Sequence, residues 1–92
     1  MSLGLAISNV AKYTAWHADA LQEVDSLELR VRDLANNKTD KDDPIYREAL
    51  AELTKWKTLA GLYKDFLTFW QDMIKSIMEM IRKASELAVG TR

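Results

Sequence analysis

Asn36-Asn37-Lys38-Thr39-Asp40-Lys41-Asp42-Asp43-Pro44 is a polar run of turn-forming side chains with no apolar residue to anchor it, and it divides the chain in two. Pro44 is the only proline, and the glycines are Gly4, Gly61 and Gly90, so long uninterrupted helices are permitted on either side of this break. Asp43 places a capping oxygen before a residue whose fixed φ suits the first helical position, and Asp40, Asp42 and Glu48 favour the positive helix end. A second helix is therefore expected to start at the end of the run.

Upstream, Val10, Tyr13, His17, Ala20, Val24, Leu27, Val31 and Leu34 recur in alternating steps of three and four, as one helix face requires. Downstream, Tyr46, Ala49, Leu53, Trp56, Ala60, Tyr63, Leu67, Trp70, Ile74, Ile77, Ile81, Ala84 and Ala88 continue the same count without a charged residue. The spacing predicts one domain over residues 1–92, with helices over roughly 7–35 and 45–88 and a loop over 36–44. A connection of this length favours antiparallel neighbours. The expected fold is all-α: an antiparallel helical hairpin with a long second helix, associating into a helical bundle or coiled-coil oligomer.

At about 1.5 Å per residue the two helices would run about 40 and 65 Å. Folded back from the loop, the first would reach only about residue 72 of the second, leaving Met73 to Val89 without an intramolecular partner. Between Leu59 and Ile81 a second apolar row, Leu59, Leu62, Phe66, Phe69, Met73 and Met80, flanks the seam on one side. One partner helix cannot bury both rows, and burial of such a side chain is worth about 1.5–3 kcal/mol. The expected association surface comprises Trp56, Leu59, Leu62, Phe66, Phe69, Trp70, Met73, Ile77, Met80 and Ile81. The rival expectation is a monomeric three-helix bundle in which the first helix breaks near Ala15 to Ala18 and folds over the second row.

Length and composition narrow the function. A chain of 92 residues that is 48% apolar and 29% charged suits one folded domain rather than a disordered tail. A net charge of -1 supplies no general attraction for phosphate backbones, so no nucleic-acid partner is expected. No segment has the length and apolarity of a membrane span, and the N-terminal residues do not read as a cleavable signal.

Catalytic constellations are missing as well. The chain has no cysteine and one histidine, His17, which reads as a helix-face residue, and no Glu-x-x-His pair is present for a di-iron bundle. Asp40, Asp42 and Asp43 lack the glycine and terminal glutamate of a calcium loop and read as a solvated, capping segment. Glu28 with Arg32 and Glu79 with Lys83 read as i,i+4 helix pairs. The chain is expected not to be an enzyme and to need no cofactor or metal. Its expected partners are copies of itself or another helical protein, the second case being a small chaperone or adaptor that holds a client helix in an apolar groove.

Asp42-Asp43-Pro44, followed by Leu50, Leu53 and Trp56, resembles the turn and second helix of the needle subunits of bacterial type III secretion systems. Gln71-Asp72-Met73-Ile74-Lys75-Ser76-Ile77-Met78-Glu79-Met80-Ile81 is similar to that family's C-terminal segment, so the resemblance covers roughly residues 20–83. It implies an export substrate that polymerises into a hollow filament or forms a related rod, cytoplasmic before export and released without a cleavable signal, with cytoplasmic chaperones masking the second helix. The chain departs from the family pattern in having only Pro44 of the usual two-proline turn, and in continuing from Arg82 to Arg92 past the usual end.

Overall fold

A computed structural model describes residues 2–90 and shows two helices, α1 (Leu3–Asn36) and α2 (Pro44–Gly90), packed against each other as an antiparallel hairpin. No strand occurs among the described residues, and the hairpin is a thin rod of 76 × 17 × 15 Å.

Local chemistry sets the helix ends. The Leu5 amide donates to Ser2 Oγ at 3.1 Å and caps α1, so this helix starts at Leu3 rather than near residue 7. At its other end Thr39 N–H donates to the Leu34 carbonyl and Lys38 N–H to the Ala35 carbonyl, the pair of bonds that closes a Schellman motif. Lys38 holds the left-handed position of that motif, with φ 59°. The Asp43 carboxylate accepts from the Ile45 amide at 2.8 Å and Asp40 from the Asp42 amide at 3.0 Å, so the acidic loop residues turn and cap the chain. Asp42 also pairs with Arg47 at 2.9 Å.

The predicted seams are the ones that meet. From Val10 to Leu34 every seam residue of α1 is buried or half-buried, and Leu3 and Ala6 extend the row to the start of the helix. On α2 the seam is sheltered from Tyr46 to Ile77 and exposed at Ile81, Ala84 and Ala88. Cover therefore reaches Ile77, about one turn beyond the expected residue 72, because α1 starts earlier. Met73 and Ile74, expected to be uncovered, are half-buried.

α1 runs unbroken through Ala15 to Ala18, so its N-terminal part continues along the seam and does not fold over the second row as a third helix. The helix-surface ion pairs also differ from expectation. Glu28 reaches across to Lys57 on α2 at 3.5 Å rather than to Arg32, and Arg82, not Lys83, holds Glu79 while also bonding Glu86.

The seam is narrow. Buried positions are Ala6, Ala20, Val24, Ala49, Ala60 and Ile77, and no large side chain is fully buried among the described residues. The accessible surface is 6919 Å², whereas a compact monomer of this mass scales to about 5,400 Å². The radius of gyration is 21.4 Å, against about 12 Å for a globular chain of this length.

Candidate interaction surface

Labelling the seam residues as heptad positions a and d puts the second row of α2 at positions g (Leu59, Phe66, Met73, Met80, Leu87) and c (Leu62, Phe69). Positions c, g, d and a are contiguous around a helix. From Trp56 to Ile81 no charged residue occupies any of them, and Lys57, Lys64, Asp65, Asp72, Lys75 and Glu79 all fall on the remaining face. In an antiparallel pair the g positions of the two helices lie along one edge and the e positions along the other. Glu28 and Lys57 both occupy e and pair across one edge, where Ile7, Leu21, Leu50 and Met78 are also exposed. The other edge is apolar on α2 from Leu59 to Met80.

α1 contributes Trp16 to the apolar edge. Its ring lies 5.6 Å from that of Tyr63, and Tyr13 lies 5.2 Å from Phe66. Lys12 Nζ stands 4.9 Å from the Tyr13 ring centroid and 5.1 Å from that of Trp16, which leaves a cation at the rim. Trp16, Asp19, Trp56 and Tyr63 line one open groove on this side, so Trp56 is brought into the same patch.

The expected association residues divide by exposure. Ile77 is buried under α1 and is part of the hairpin's own seam. Trp56, Leu59, Trp70 and Met73 are half-buried, and Trp70 also stacks edge-on with Phe69 at 5.2 Å. Leu62, Phe66, Phe69, Met80 and Ile81 remain exposed, from 39% at Phe66 to 63% at Met80. Leu87 and Val89, at 71% and 68%, are more exposed still and were not among the expected residues.

No family model, curated protein or solved structure matches the chain. The surface is therefore read from its own chemistry. Among the described residues no group of His, Cys, Asp or Glu is placed to hold a metal ion, and no helix is long and apolar enough to cross a membrane.

Sequence reasoning missed Trp16. The signal was present in the numbering: Trp16 immediately precedes the seam residue His17, which is position g when His17 is a, and antiparallel pairing brings g to g.

Proposed function

We propose that the chain is a self-associating structural subunit that packs through the edge formed by Leu59, Leu62, Phe66, Phe69 and Met80. The turn and second-helix resemblance to type III secretion needle subunits favours a component of that needle or rod type. The observation that carries the reading is the uncharged c and g sector, left open over Trp56 to Ile81 by a hairpin that fully buries no large side chain among the described residues. Leaving it in water omits stabilisation that a domain of this size needs. The surface excess of about 1,500 Å² over a compact monomer exceeds the roughly 800 Å² that one partner contributes to a standard interface. The reading involves no catalytic step.

Light scattering over a concentration series tests it. Mass that grows without a plateau supports a polymerising subunit, and Leu62→Asp should abolish the growth while leaving helicity intact. A mass that stops at a dimer or tetramer would move the reading to a helical adaptor. A monomer at every concentration would remove it.

A further inference from the structure

α2 outruns α1 by thirteen residues (47 − 34), and beyond Ile77 every described residue is exposed. This overhang carries Met80, Ile81 and Leu87 at 51–71% exposure, so its apolar side has no cover within the chain. Its charges are unequally placed. Arg82 is held by Glu79 and Glu86, all on the b and f face, whereas Lys83 lies at position c between Met80 and Leu87 and makes no ion pair among the described residues.

The loop-proximal end of the apolar edge has the opposite sign. Glu48 at c and Glu52 at g stand on α2, and Glu23 at g and Asp33 at c on α1, against Arg30 and Lys55. Glu48, Glu52 and Arg30 line one groove without an ion pair among them. Ile45, 53% exposed, and Leu59 flank Glu52 along its row, as Met80 and Leu87 flank Lys83. Apolar, acidic, apolar at one end thus answers apolar, basic, apolar at the other.

We infer that residues 78–90 of one copy dock on the acidic, loop-proximal end of the apolar edge of another copy, with Lys83 beside Glu52. This rests on the self-association proposed above and names its contact. Two copies side by side in the same direction with no axial offset would set Glu48 and Glu52 against their own counterparts. An offset or reversed neighbour sets them against Lys83, and opposite charges then fix the register.

Charge reversal in the full chain tests the contact, with assembly read by light scattering at low salt. Lys83→Glu and Glu52→Lys should each raise the concentration for half-assembly by about threefold to tenfold, and the double variant should recover most of the loss. Added salt should narrow the differences. An unchanged assembly in Lys83→Glu, or no recovery in the double variant, overturns the inference. If Leu62→Asp dissolves the assembly in that case, self-association through the edge stands and only the overhang contact falls. A wild-type chain that stays monomeric removes both.

Discussion

The rings of Tyr13 on α1 and Phe66 on α2 meet with centroids 5.2 Å apart, and Trp16 and Tyr63 repeat the contact one turn away at 5.6 Å. Both pairs sum to 79 and each joins a g residue to a d residue, so the a and d residues of the two seams, one position on, face each other at a sum of 80. Phe66 thus serves the hairpin as well as the exposed edge. Phe66→Ala should lower monomer stability by about 1–2 kcal/mol, through the lost ring contact and partial burial. Met80→Ala, at a residue 63% exposed and beyond the cover of α1, should change it by less than about 0.5 kcal/mol. Thermal melts at concentrations where the chain is monomeric would separate the two.

Lys38 occupies a left-handed backbone position, φ 59°, where a side chain is disfavoured and glycine is not. Lys38→Gly should therefore stabilise the hairpin by about 0.5–1 kcal/mol despite the greater freedom glycine gives the unfolded chain. Urea unfolding would show a higher midpoint with an unchanged slope.

Gly61 lies in the middle of α2 with open space around the site of an added Cβ. Gly61→Ala should raise stability by about 0.5–1 kcal/mol through helix propensity alone. Its b position faces away from the apolar edge, so the concentration dependence of scattering should not move. A shift in assembly would place the association surface elsewhere.

Ala20 is fully buried, and the common level puts it opposite Ala60, which is 7% exposed. Two alanines facing each other let the helices approach closely, so a larger side chain has no room. Ala20→Leu should cost about 1–3 kcal/mol although it adds apolar surface, and calorimetry of the monomer would read the loss.

Much of this was legible in the numbering of the chain. The polar run ending at Pro44 placed the turn, and the alternation of three and four placed both seams, because helical period and loop chemistry are local properties. The start of α1 was missed by about one turn because Ser2 caps the helix through a single side-chain hydrogen bond, while Leu3 and Ala6 were not recognised as the first seam residues. That turn decides how far α2 is covered, and so moved Ile77 from the surface to the interior. Glu28 was read with Arg32 on a single helix and Trp16 was not singled out, whereas their roles depend on which edge of the second helix they meet. Lys38 carries no sequence sign of its left-handed backbone, since glycine is the usual occupant.

The level rule has a consequence for how the rod comes apart. Near the bend, facing residues such as Leu34 and Tyr46 are a dozen positions apart along the chain, whereas at the free end Leu3 faces a residue more than seventy positions away. Closing the distant pairs is entropically easy once the nearer ones have formed, so the two arms zip from the bend outward and fray from the tip inward. The stretch around Ala6 and Ile74 is accordingly the first to part on heating, while the bend is the last to let go.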